Sequence, residues 1–225
     1  MVSDPQLVLA MLADARLPTG GHAHSAGLEP AILAGLAANP RRLHEIPDLA
    51  RTRLRTITTV EAAAAVAARA AWLRGEYDLS GVETAWCART PSAAMRDTAR
   101  QLGRGYLRLA RGLWPDAFAG FTSERPVRPV VLGVVGAVAG LDARQVALLV
   151  GYDDVQTIAS AALKLVPLDP AQAMRWVLDL HPDIAAMADE IAHVESPGDI
   201  PARSAPVLDD HAEAHARTTR RLFHA

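Results

Sequence analysis

The run Glu61-Ala62-Ala63-Ala64-Ala65-Val66-Ala67-Ala68-Arg69-Ala70-Ala71 decides the fold. Alanine is the strongest helix former, and an unbroken run without glycine, proline or strand-like alternation predicts a helix. Its side chains are so small that neighbouring backbones can come close, which places this helix among other helices. Towards the N-terminus, Ile46, Leu49, Leu54 and Ile57 carry the helical spacing back. The stretch from Ile46 to Gly75 therefore reads as two tightly packed helices with one break. Composition extends the reading to the whole chain. Half of the 225 residues are hydrophobic but only 4% are aromatic. The apolar mass is alanine, leucine and valine, which favours an all-α protein over a sandwich or barrel.

Working outward, Asp4 followed by Pro5 is an N-cap with proline at the first helical position, and Leu7, Met11 and Leu12 continue that helix. A glycine-rich loop from Pro18 to Ser25 leads to a second stripe, Leu28, Ile32, Leu33 and Leu36. Thr90-Pro91-Ser92 starts a long pattern through Met95, Ala99, Leu102, Tyr106, Leu109 and Leu113. The arginines of that segment, Arg96, Arg100, Arg104, Arg108 and Arg111, fall largely on another side and read as a solvated face. Gly133, Gly136 and Gly140 punctuate a buried helix from Val130, and Asp142 caps the next, whose hydrophobicity runs to Pro167. Residues 1–194 are expected to form one multi-helix domain. After Val194, Pro197, Gly198, Pro201 and Pro206 predict a mobile Pro-rich linker, and 195–225 as a whole is expected to be a partner-docking tail with a short helix from Leu208 towards Phe223.

A formal charge of -2 gives no net positive field, so neither nucleic acid nor an anionic membrane is the expected partner. With Cys87 as the single cysteine, no intrachain disulfide can form, which suits a reducing, cytoplasmic setting. The N-terminus lacks the basic start and small-residue cleavage site of a signal peptide. The greasy stretch Val130 to Leu141 falls short of the roughly 20 residues a membrane span needs.

His22 and His24 flank one residue in a glycine-rich loop, where two imidazoles can converge on a metal; they read equally as structural or interface histidines, because two ligands make an incomplete site. His211 and His215 have the i, i+4 spacing of a helix-face pair and carry the same two readings. Ser25 beside His24 does not make a nucleophile and base by adjacency, and no catalytic residue is assigned. Asp153 and Asp154 read as a solvated helix turn. Lys164 is the single lysine of the chain.

The segment Leu17-Pro18-Thr19-Gly20-Gly21-His22-Ala23-His24-Ser25-Ala26-Gly27-Leu28-Glu29 resembles the opening signature of the urease accessory protein UreF family, with its Leu-Pro-x-Gly, His-Ser and Gly-Leu-Glu elements. Further blocks follow in the same order. Thr90-Pro91-Ser92 through Arg96 and Gln101-Leu102-Gly103-Arg104 is similar to the central helix of that family; Pro129-Val130-Val131-Leu132-Gly133 through Gly140-Leu141 to the next; and Ser160-Ala161-Ala162-Leu163-Lys164-Leu165-Val166-Pro167-Leu168 to the one after. The terminal Arg221-Leu222-Phe223 resembles the family's ending. The sequence departs from the pattern at His22, where an aromatic is usual, at Arg128, where histidine is frequent, and at Asp169-Pro170, in place of glycine and glutamine.

The resemblance implies a non-catalytic, all-α accessory protein that has no cofactor of its own. It implies a homodimer that joins the UreD (or UreH) protein and the GTPase UreG to deliver nickel to apo-urease. The residues it marks as partner-binding are Pro18, Gly20, His24, Ser25, Gly27 and Glu29 in the opening motif, Arg96 and Arg104 in the central helix, Tyr152 and Lys164 further on, and Arg221, Leu222 and Phe223 at the end. Gly133, Gly136 and Gly140 offer a small-residue face for the dimer. The alternatives are a helical metal-dependent hydrolase built on His22, His24 and Glu29, or a stand-alone nickel chaperone using the histidines.

Overall fold

The alanine run becomes the axis of the molecule. In the computed structural model, which describes residues 4–219 and 221–223, it lies in a helix, Ile57–Leu73, whose residues from Thr58 to Ala68 are all buried. A helix apolar on every side has to be surrounded, and this one is. Among the described residues there are eleven α-helices and no strand: α1 Pro5–Leu12, α2 Leu28–Leu33, α3 Glu45–Arg55, α4 Ile57–Leu73, α5 Ser80–Ala88, α6 Ala93–Leu113, α7 Arg128–Val138, α8 Ala143–Leu165, α9 Pro170–Asp179, α10 His181–Ile191 and α11 Pro206–Ala216. The break expected between Ile46 and Gly75 is at Thr56, where ψ swings to -94° between α3 and α4. α4 packs on α7 and α8; α6 covers the far side of α7, and α9 and α10 cover α8.

The close approach of α4 and α7 depends on glycine. A Cβ on Gly133 would run into the Ala65 carbonyl and the Ala68 methyl, and one on Gly136 into the Val146 side chain. This corrects the reading of these glycines as a dimer face: they are occupied inside the protomer. The stripe signals helix contact, and the tiny side chains of α4 satisfy it internally. Gly140, with φ of +73°, ends the helix instead.

α8 is capped by Asp142, whose carboxylate accepts from the Gln145 N–H while the Gln145 side chain accepts from the Asp142 N–H. By length and composition α8 could cross a membrane, but more than half of the relevant window is buried in the protein. It is a core helix.

The stretch read as a linker is laid along the body. Ser196 and Asp199 close a short turn, Ile200 is buried, and Pro206 opens α11, which packs on α2 and α6 through Leu208, Ala212 and His215. Here the prolines start helical turns, where the missing N–H costs nothing. The helix ends at Ala216, earlier than the sequence suggests, and Phe223 is again buried. Arg220, His224 and Ala225 lie outside the described residues.

Candidate functional site

The opening loop is folded by two positive-φ glycines, Gly20 at +89° and Gly27 at +80°, around a single 3-10 turn, Gly21–Ala23. Side chains other than glycine rarely adopt that conformation. Ser25 then accepts the Glu29 N–H at 3.2 Å, tying the loop to the first turn of α2. The result points the buried Glu29 carboxylate at the other end of the chain. Its oxygens accept from the Leu222 N–H at 2.7 Å and the Phe223 N–H at 2.8 Å. The His215 Nε2 lies 3.0 Å from the same carboxylate, within a side chain that has no exposed surface. Glu29 thus gathers three donors across nearly the whole length of the sequence. The Lys164 Nζ lies 5.1 Å from the centroid of the Phe223 ring, a cation over an aromatic face. The opening motif, the single lysine and the chain end meet at one place.

Beneath the loop lies a cavity of about 180 Å³, lined by His24, Trp86, Met95, Tyr106, Lys164 and Phe223 among others. Its floor is a cluster of five charged side chains. Arg53 of α3 holds Asp154 of α8 by two bonds, Nε to Oδ2 at 3.0 Å and Nη2 to Oδ1 at 2.7 Å, and the Thr58 hydroxyl donates to the same carboxylate at 2.7 Å. Arg128, the first residue of α7, holds Glu61 of α4 at 2.5 Å and Asp153 at 2.6 Å. Four helices are fastened by two guanidiniums. Burial alone would push the Asp154 carboxyl up, but the paired Arg53 charge and its hydrogen bonds outweigh it and hold the group below the usual carboxylate range. Asp153 has the opposite balance: burial pushes it up, and Arg128 only partly offsets that. Its side chain keeps 28% of its surface open. Burial also raises the Tyr106 phenol.

This corrects the reading of Asp153 and Asp154 as a solvated turn. They stand midway along α8 and face the cluster, where Arg53 from α3 and Arg128 from α7 supply their countercharge. Nothing in the local sequence announces those partners, which lie 101 and 25 residues away. The available signal is the oddity of charged residues, Glu61 included, inside strongly apolar runs.

The remaining sequence-marked residues are spread out. Pro18 and His22 are exposed, whereas His24 is buried, so the two imidazoles of the loop face different surroundings. His215 is committed to Glu29, and His211 lies one turn before it on α11. Among the described residues no three His, Cys, Asp or Glu side chains are grouped to hold a metal. Arg96 turns back on its own helix start, donating to the carbonyls of Thr90 at 2.6 Å and Pro91 at 2.7 Å. Arg104, Arg221 and Leu222 are exposed, and Tyr152 lies half-buried with its ring 6.4 Å from that of His181.

The UreF family model matches residues 42–181. Over 218 residues the chain is 40% identical to the urease accessory protein UreF of Mycobacterium sp. (strain JLS), covering 96% of each sequence. The chain belongs to the UreF family. The UreF of Mycobacterium marinum (strain ATCC BAA-535 / M) is 38% identical and that of Mycobacterium tuberculosis (strain ATCC 25618 / H37Rv) 37%, each over 216 residues covering 96% of this chain and 97% of the relative. The matched family region contains the whole five-charge cluster and Lys164. The opening loop and the chain end fall outside it, yet within the span shared with the mycobacterial UreF sequences. The UreF resemblance carried by scattered motifs is thus borne out across the chain.

Proposed function

We propose that this UreF-family chain is a non-catalytic, cytoplasmic scaffold for urease maturation. It acts as a dimer, joins a UreD- (or UreH-) like protein and the GTPase UreG, and serves the delivery of nickel, the cargo of the complex, to apo-urease. The observation that supports this reading most is the meeting of the opening motif with the chain end at Glu29. Exposed Pro18 in the opening loop, exposed Arg221 and Leu222 next to Phe223, and exposed Lys164 over the Phe223 ring are assigned to the surface that a partner meets. Half-buried Tyr152 and exposed Arg104 are assigned to partner contact away from it. Arg96 is assigned an indirect role, since it holds the start of the helix that carries Arg104. A hydrolase built on His22, His24 and Glu29 fits poorly, because the Glu29 carboxylate is already taken by three donors.

The test is co-purification of the tagged chain with the UreD-like protein, UreG and apo-urease from its own cells, together with Lys164→Glu. The wild type is expected to bring down these partners and support urease activation. The exposed Lys164 sits in the last turn of α8 over the Phe223 ring, so its replacement costs about 0.3–1 kcal/mol at the helix end and about 0.5–1 kcal/mol in the cation–π contact. Lys164→Glu should therefore melt within a few degrees of the wild type but lose UreG binding or activation. A wild-type chain that captures none of the three overturns the proposal.

A further inference from the structure

The charge cluster under the cavity does not balance. Arg53 and Arg128 stand against Glu61, Asp153 and Asp154, so two guanidiniums face three carboxylates. The bonds show where the excess lies. Both oxygens of Asp154 are held by Arg53, and both of Glu61 by Arg128. Asp153 receives only the Arg128 Nη1, on Oδ2, and its Oδ1 has no hydrogen bond among the described residues. Its side chain also keeps 28% of its surface open, against 3% for Asp154 and 10% for Glu61. A buried cluster one positive charge short is completed by a cation that reaches Asp153.

The cavity sets the kind of cation. Asp153, Gln156, Thr157 and Ser160 share one face of α8 and line the space. Gln156 Oε1 is buried without a hydrogen-bond partner among the described residues, a cost that is removed by an N–H the amide turns to meet. The rest of the lining includes Ile57, Trp86, Met95 and Leu102, which suit a carbon body. A cavity of about 150 Å³ holds one benzene, so this one, at about 180 Å³, takes a molecule of one ring with a small head group. No three His, Cys, Asp or Glu side chains among the described residues are grouped to hold a metal, and the apolar lining offers a metal ion nothing. Lys164, which also lines the cavity, is about 16 Å further along α8, at the Phe223 end, and leaves the Asp153 end to the charge of a ligand.

We propose that this cavity binds a small organic cation, an amidinium or ammonium group on an apolar body of one ring, with its N–H groups on Asp153 and Gln156. The site stands apart from the accessory role, which its failure would leave untouched. Benzamidine is the probe, titrated calorimetrically into the purified full-length chain, and benzamide has the same shape without the charge. Asp153→Asn removes the countercharge, and Ser160→Leu fills the cavity while leaving the cluster intact; melting curves show whether each variant folds, and either folded variant suffices. Benzamidine should bind one to one, about tenfold or more tighter than benzamide. Asp153→Asn should erase that preference, whereas Ser160→Leu should weaken both compounds. Affinity should also rise with pH. Burial first, then the Asp154 and Glu61 charges, push Asp153 up against the pull of Arg128, and Tyr106 stays a neutral phenol beside them, so in acid a proton competes for the carboxylate. Equal binding of benzamidine and benzamide, or no binding of benzamidine at millimolar concentration, overturns the proposal. Binding that neither variant alters puts the compound elsewhere and overturns it too. Nickel chloride that displaces benzamidine, and binds the wild type but not Asp153→Asn, makes the occupant a metal ion and overturns the organic class.

Discussion

Glu29 concentrates at one residue what joins the two ends of the chain. Replacing it by alanine removes the acceptor of two backbone N–H groups and of His215, the last in a fully buried side chain. Hydrogen bonds to a charged group contribute roughly 1.5–3 kcal/mol, but the freed backbone groups near the surface can be rehydrated, so a net loss of about 2 kcal/mol is expected for Glu29→Ala. In a chain of this size that lowers the melting temperature by about 4–8 °C, and a melt unchanged from the wild type would show that the chain end is held by other contacts. Asp154 gives a larger effect with a pH signature. Asp154→Asn strands the buried Arg53 without its countercharge, at a cost of roughly 3–5 kcal/mol at neutral pH. Because the folded Asp154 carboxyl lies below its unfolded value, its contribution is present above the ordinary carboxylate range and is lost as pH falls through the depressed value. Melting curves on acidification should therefore converge for wild type and Asp154→Asn. Asp153 has the opposite sign: raised in the fold, it favours the folded state in acid and loses that contribution as pH rises through its folded value. Asp153→Asn should consequently be the milder substitution at neutral pH, and equal losses for the two would refute the assigned balance.

Helices are legible in this sequence wherever a cap and a periodic stripe coincide: Asp4 before α1 and Asp142 before α8 cap as the sequence predicts, and Ser92, the last residue of the Thr90-Pro91-Ser92 break, caps α6. α9 starts the same way, Asp169 accepting from the Ala171 N–H before Pro170 turns the chain into the helix, whereas α5 and α10 start without a side-chain cap. The chain-end segment reads as a detached tail because its apolar residues are few, yet burial of Ile200, Leu208 and Phe223 is enough to lay it on the body. The site was half legible. Motif residues such as Ser25, Glu29, Lys164 and Phe223 can be marked in sequence; Glu61 and Asp154 show only as charges inside apolar runs, and their pairing with Arg128 and Arg53 across helices leaves no local pattern. The glycine stripe was legible as contact but not as to which contact. Gly133→Ala should force α4 and α7 apart and cost about 1–3 kcal/mol. Its oligomeric state in light scattering should match the wild type; a switch from dimer to monomer in a stable variant would restore the glycines to the dimer face.

At the scale of the whole molecule, the chain end closes the body. Residues after Val194 lay a turn beside α5, place α11 across α2 and α6, and return Phe223 to the wall of the cavity. They do not supply the centre: α4, α7 and α8 bury one another without them, and the five-charge cluster draws every member from α3, α4, α7 and α8. A chain ending at Val194 is therefore expected to keep its helical circular dichroism and a cooperative melt. It should melt several degrees lower, because Leu28, Glu29 and the cavity become open to water. If the chain end also forms part of the partner surface, the truncated body should lose binding to the UreD-like protein far beyond what its stability loss explains. The comparison that separates the two is Glu29→Ala in the full-length chain, which loosens the end without deleting it. Partner binding that is lost on truncation but largely retained in Glu29→Ala would show that the partner itself can order the end. Full binding by the stable truncated chain would remove residues 195–225 from the docking surface, and a truncated chain that does not fold would place them in the core.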